Sequence, residues 1–230
     1  MDPQSKKKVT LGLLAGALFL ATIFVGRSHA VLYVPDFGET GWQTYTVTLD
    51  TDFSGIVGIG VSNLLDTLLD SVLLIDNLVG MGPAGNEGFE LGDFTGYTVY
   101  GTATVDSNAT AWGGTPYGPT EGSLMAVLTA EGASTSFLPE PGATDGAYIE
   151  FNVNLQTGDT VSFDWNFLAM DYTPFEDFAF LYAKDEQGEL VYFEKLAQIS
   201  PIPEPSAILL LGAGLAGLGL WGVKRRMLHF

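Results

Sequence analysis

The sequence predicts an all-β protein, an antiparallel β-sandwich flanked by an N-terminal signal helix and a C-terminal transmembrane helix. Three observations carry that expectation. From Trp42 to Leu196 short apolar runs alternate with polar residues at a period of two, punctuated by Gly, Pro, Asn and Asp clusters. Both ends are long apolar stretches beside basic clusters. Lys6, Lys7, Lys8, Arg27, Lys224, Arg225 and Arg226 take seven of the nine basic residues, which leaves Lys184 and Lys195 between 31 and 202 against all but two of the 27 acidic residues.

That charge balance makes a body that repels nucleic acid and anionic lipid, stays soluble and attracts divalent cations. The chain has no cysteine, and its two histidines, His29 and His229, sit in the terminal segments. A body without thiol or imidazole excludes Ser-His-Asp and Cys-His hydrolases and histidine-ligated zinc. Carboxylates, tyrosines and two lysines are what remain for chemistry, and no catalytic residue is assigned. Three segments follow: 1–30 as signal peptide, 31–199 as one β-sandwich domain, and 200–230 as a sorting and anchor segment.

In chain order, Lys6, Lys7 and Lys8 precede an apolar stretch from Val9 to Gly26 that ends at Ser28-His29-Ala30, with small residues where a signal peptidase reads them. Cleavage between Ala30 and Val31 is expected; an uncleaved amino-terminal anchor is the alternative. Leu64 to Leu78 carries leucines at helical spacings, and the expectation is a short helix or loop around 63 to 70 followed by a strand. Val99, Gly101, Ala103 and Val105 alternate with Thr98, Tyr100, Thr102 and Thr104 as one strand. Ile149, Phe151 and Val153 make another, and Val161, Phe163, Trp165 and Phe167 alternate with Ser162, Asp164 and Asn166 in a third. In each, one face should be apolar and the other polar. Phe178 to Ala183 and Leu190 to Glu194 should form a hairpin across 184–189.

Beyond the body, Pro203-Glu204-Pro205 cannot continue a helix or central strand. Ser206 to Val223 is an uncharged stretch of about 27 Å as a helix, enough for a bilayer core. Lys224, Arg225 and Arg226 then hold the carboxyl end in the cytoplasm. Box, span and basic stop in that order resemble the PEP-CTERM sorting signal of bacterial exopolysaccharide-associated proteins. The resemblance implies export with help from a signal peptidase, anchoring in the membrane through the C-terminal helix, and recognition by an exosortase-like enzyme. The destination it implies is the cell surface or extracellular matrix of a Gram-negative-type bacterium. The bland alternative is a single-span anchor that is never processed.

The body resembles the lectin-like jelly rolls of surface proteins with this signal and, more distantly, carbohydrate-binding modules. Gly88 to Tyr97 looks like their opening strand, and Pro119 to Ala126, Phe163 to Phe167 and Pro174 to Phe180 like their middle. Gly41 to Tyr45 and Asp70 to Asn77 look like the closing strands, yet they come first. Circular permutation through a new connection at 81–86, or exchange of residues 42–80 with a neighbouring copy, would each explain that order.

The resemblance also implies a structural calcium between Glu90 and Asp76, and oxygen ligands of that kind suit the ion. Trp112 and Tyr117, around the Gly113 to Gly118 loop, are the aromatics placed to meet a sugar, whereas Trp165 belongs to the core. Trp42 and Tyr97 complete the aromatics that are set aside. Asp171, Glu176 and Asp177 form an acidic group that reads as a solvated loop or strand-end cap rather than a catalytic pair. Asn108-Ala109-Thr110 matches a glycosylation triplet. Function is therefore expected to be structural or carbohydrate-binding in an exopolysaccharide-rich envelope, not enzymatic. A carboxylate-dependent glycoside hydrolase and a self-assembling surface subunit are the alternatives.

Overall fold

The computed structural model describes residues 29–200. The expected signal helix, the Pro203-Glu204-Pro205 box, the C-terminal span and Lys224, Arg225 and Arg226 lie outside the described residues. Within them, no helix is long and apolar enough to cross a membrane.

The described chain forms β1 (Leu32–Val34), β2 (Gln43–Thr48), β3 (Phe53–Leu64), β4 (Val72–Val79), β5 (Thr98–Tyr100), β6 (Thr102–Asp106) and β7 (Ala109–Thr110). It continues with β8 (Pro116–Tyr117), β9 (Met125–Thr129), β10 (Ala133–Ser134), β11 (Ala143–Leu155), β12 (Thr160–Leu168), β13 (Phe178–Asp185) and β14 (Leu190–Ile199). One sheet runs β1-β14-β13-β3-β11-β10 with β5 also on β11, the other β2-β12-β4-β9-β6, and β7 pairs with β8. All pairings are antiparallel except β1 on β14, where Leu32 faces Ala197 and Val34 faces Ile199.

The alternation read from the sequence makes the core. Val57, Ile59 and Val61 of β3, with Ile149, Phe151 and Val153 of β11, pack in one cluster with Phe163, Trp165 and Phe167 of β12 and Leu73 and Ile75 of β4. Burial of this kind contributes about 1.5–3 kcal/mol for each large side chain. The expected hairpin is present, with β13 and β14 paired from Phe178 opposite Gln198 to Lys184 opposite Leu190. Of the two segments resembling closing strands, 41–45 enters β2 at the edge of its sheet and 70–77 enters β4, between β12 and β9; β3, which lies between them in sequence, sits between β13 and β11 in the other sheet.

Two strand expectations change. The strand over 98–105 is two strands in opposite sheets, β5 on β11 and β6 on β9. The switch is at Gly101, whose φ of 79° and lack of a side chain let it pass 2.4 Å, measured from where a Cβ would stand, from the Gly146 carbonyl oxygen. Gly88 to Tyr97 is no opening strand but a run of turns with Phe89 fully buried at its centre. Asn86 organises it, donating to the Asp93 and Thr95 carbonyls and accepting from Leu91 N–H. Within Pro119 to Ala126, 119–124 is loop and β9 begins at Met125. Of the short helix or loop expected around 63 to 70, the loop forms over 65–71 and the expected strand follows as β4; Leu65 and Leu69 adopt positive φ, and Leu65, Leu68 and Leu69 are exposed.

The polar faces expected to meet water do so at Thr98, Tyr100, Thr102, Thr104, Asn152 and Asn154, but Asp164 and Asn166 of β12 are covered. On the outer side of the β2-containing sheet, Leu74, Met125 and Leu168 pack beneath Ala111 and the β7–β8 hairpin. On the outer side of the other, Tyr148, Phe178, Phe180 and Tyr182 pack with Leu138 of the 135–142 loop. The molecule has one central core and a smaller one on each flank.

Candidate functional site

The β7–β8 hairpin carries Trp112 at its tip, where Ala111 N–H bonds the Thr115 carbonyl and Gly114 N–H the Ala111 carbonyl. Trp112 is 57% exposed, and its ring lies on Phe37 with centroids 4.6 Å apart. Phe37 sits at a φ of 55°, a conformation that few bulky side chains adopt, and its N–H is held by the Asp171 carbonyl at 3.0 Å. Tyr172, 41% exposed, comes next at 5.9 Å from Phe37, with Phe175 edge-on to it at 5.7 Å. Three loops thus bring Trp112, Phe37, Tyr172 and Phe175 into one aromatic strip. Asp36 fixes the third loop by accepting from both the N–H and the hydroxyl of Thr173.

Tyr117 does not join the strip. It packs under the hairpin against the flanking core, and its hydroxyl donates to Glu39 at 3.2 Å. Burial, reinforced by Glu39, raises its pKa. Trp42 is turned inward in the same region, its indole N–H on the Gly118 carbonyl. Of the two expected ligand-binding aromatics, only Trp112 is freely presented. Phe37 and Tyr172 were not singled out by sequence because a loop aromatic shows no period; the clue was the density of aromatics beside Pro35 and Pro174.

The acidic group behind the strip is not solvated. Asp177 has no exposed surface, and it caps the start of β13 by accepting from Leu64 N–H at 3.2 Å and the Ser71 hydroxyl at 2.7 Å. Burial pushes its carboxyl up to about 7, against the lowering effect of the Ser71 bond. Asp171 is also buried; Tyr172 N–H satisfies one oxygen, and the other has no partner. Burial raises this carboxyl too. Glu176 accepts from Gln198 at 2.7 Å. The strand-end cap is what Asp177 became, whereas the solvated loop did not form.

Asp76 and Glu90 do approach one region. A Cβ on Gly88 would stand 3.5 Å from Asp76 Oδ1, 2.9 Å from Glu121 Oε2 and 3.9 Å from Glu90 Cγ. Both carboxylates are already engaged, however. Asp76 Oδ2 accepts from Thr120 N–H, the Thr120 hydroxyl and Glu121 N–H, Oδ1 accepts from Asn77 N–H, and Glu90 Oε1 accepts from Ser123 and Leu124 N–H. Burial raises the Asp76 carboxyl while these amides oppose the rise. Among the described residues no three acidic or histidine side chains are grouped to hold a metal. The pair as placed binds loop amides, tying 119–124 to β4.

A feature absent from the sequence reading is an open groove of about 700 Å³ on the outer face of the larger sheet, with Ser54, Ile56, Asn152, Asn154 and Gln187 in its lining. Above it, buried Glu150 accepts from Lys184 at 2.7 Å and Tyr182 at 2.5 Å.

An acidic two-sheet sandwich with covered flanks and one exposed aromatic strip is the class of protein these features define. The tail adds the particular: residues 201–226 match the PEP-CTERM protein-sorting motif, the signal of exported bacterial proteins sorted through the membrane by an exosortase. No curated protein and no solved structure matches the chain.

Proposed function

We propose that the exported chain is delivered to the cell surface or extracellular matrix, where its sandwich binds extracellular polysaccharide without turning it over. The observation that supports this is the strip in which exposed Trp112 stacks on half-buried Phe37 with exposed Tyr172 tilted beside it, since sugar ring faces pack on flat aromatic surfaces. Stacking on Phe37 keeps Trp112 presented without requiring it to order on binding, and preorganisation of this kind favours affinity. A non-catalytic role agrees with the burial of Asp171 and Asp177, which leaves neither carboxyl open to a solvent-borne substrate.

The test is retardation of the purified protein in gels cast with neutral polysaccharides. Trp112→Ala and Tyr172→Ala should each weaken binding about tenfold, the loss of a central aromatic contact, with circular dichroism unchanged. Undiminished binding by both folded variants, or release of reducing sugar by the wild type, would overturn the reading.

A further inference from the structure

At the edge of the sandwich, where β14 faces β2, a half-buried carboxylate has no basic side chain paired with it among the described residues. Glu194 Oε2 accepts from the Tyr45 hydroxyl at 3.2 Å and from the Tyr192 hydroxyl, and the two phenols are 3.3 Å apart. Glu194 Oε1 accepts the backbone N–H of His29 at 2.9 Å. Burial raises both phenols well above their ordinary range, so they remain donors at any physiological pH. The His29 ring lies 4.2 Å from that of Tyr45, with Nδ1 buried and unpartnered. Beside it opens a cavity of about 270 Å³ lined by His29, Ala30, Gln43, Tyr45, Trp165 and Leu196 among others.

The parallel register of β1 on β14 fixes what stands at this carboxylate. With Leu32 opposite Ala197, the chain upstream of β1 runs back along β14 until His29 reaches Glu194. Cleavage after Ala30 removes His29 and its N–H. It leaves Val31 as an α-ammonium two residues further along β14, about 6.6 Å at strand rise. A partly buried carboxylate that loses a donor is destabilising unless another takes its place. Neither lysine of the described residues is free to do so, because Lys184 pairs with Glu150 at 2.7 Å and Lys195 with Glu140 at 3.1 Å.

We propose that Glu194, Tyr45 and Tyr192 form an ammonium-binding site whose ligand is the new α-ammonium of Val31, so that removal of the leader locks β1 onto the sandwich. The inference rests on the reading that the exported chain is cut after Ala30. The titratable groups around the position that His29 vacates are Glu194 and Tyr192 from β14 and Tyr45 from β2. Their net effect is to hold the proton on the amine above its ordinary pKa of about 7.7–8.0. Stability from the pair is then complete below that range and lost as pH rises through the folded value.

The experiment takes the exported protein as processed by its host, identifies the first residue by mass spectrometry, and follows acetylation of the α-amine against pH. With Val31 first, the folded wild type should label about tenfold more slowly at pH 7 than E194Q, equivalent to one pKa unit. If E194Q is not exported, the same comparison is made between the folded wild type and the wild type unfolded in urea. A first residue other than Val31 defeats the cleavage reading and this inference with it. Val31 first, with equal labelling in both states, defeats this inference alone.

Discussion

Buried carboxyls set the behaviour of individual residues in this protein. Asp177, pushed up to about 7 by burial, holds its proton more tightly in the fold than in the unfolded chain, where an aspartate titrates near about 3.9. Unfolding releases that proton, so stability falls as pH rises from about 4 through about 7 and levels off above. Asp76, Asp70 and Asp171 are displaced in the same direction, each chiefly by burial, and add to the slope. Asp177→Asn keeps an acceptor for Leu64 N–H and removes the titration. Its unfolding free energy from urea titration should change less between pH 4 and pH 7 than that of the wild type, by about 1.4 kcal/mol for each pH unit by which the Asp177 pKa is displaced. Equal slopes in the two proteins would mean that Asp177 ionises normally inside the fold.

Elements were legible wherever one face meets the central core. Val161 to Phe167 and Ile149 to Val153 alternate as strands must, and both became central strands with those residues inside. Legibility ended where a third layer covers a sheet. Asp164 and Asn166, read as solvent-facing, are buried under the 107–124 segment, with Asp164 held by Thr44, Asn77 and Thr120. Period two cannot distinguish water from a polar loop lying on the sheet. For the site, Trp112 was found because a tryptophan in a Gly-rich turn has nowhere to hide, whereas its stacking partner Phe37 comes from a loop distant in sequence.

The break between β5 and β6 was missed for a related reason. Val99 and Ala103 keep the same alternation on either side of it, and only Gly101 marks the change of sheet. Gly101→Val should make that mark visible. The new Cβ would lie 2.4 Å from the Gly146 carbonyl oxygen and 2.6 Å from that of Glu131, at a φ that disfavours a branched side chain. A loss of about 3 kcal/mol or more in thermal or urea unfolding is expected. A variant of unchanged stability would place the crossover elsewhere.

At the scale of the whole molecule, charge decides which polymers the strip can meet. The described residues carry two lysines, both paired, amid a large excess of carboxylates, and the field around such a body extends about a Debye length, roughly 8 Å at physiological salt. Asp36 and Glu39 lie on the same loop as Phe37, so an anionic polysaccharide approaching the strip meets like charge. Stacking on Trp112 and Tyr172 is insensitive to salt by comparison, because it depends on apolar surface and ring geometry. Neutral polysaccharides should therefore be retained equally at low and high ionic strength, while uronic-acid polymers are retained only as added salt screens the repulsion. Affinity for an anionic polymer that weakens with salt would point instead to attraction at a basic surface, and the paired state of Lys184 and Lys195 leaves no such surface in the described sandwich.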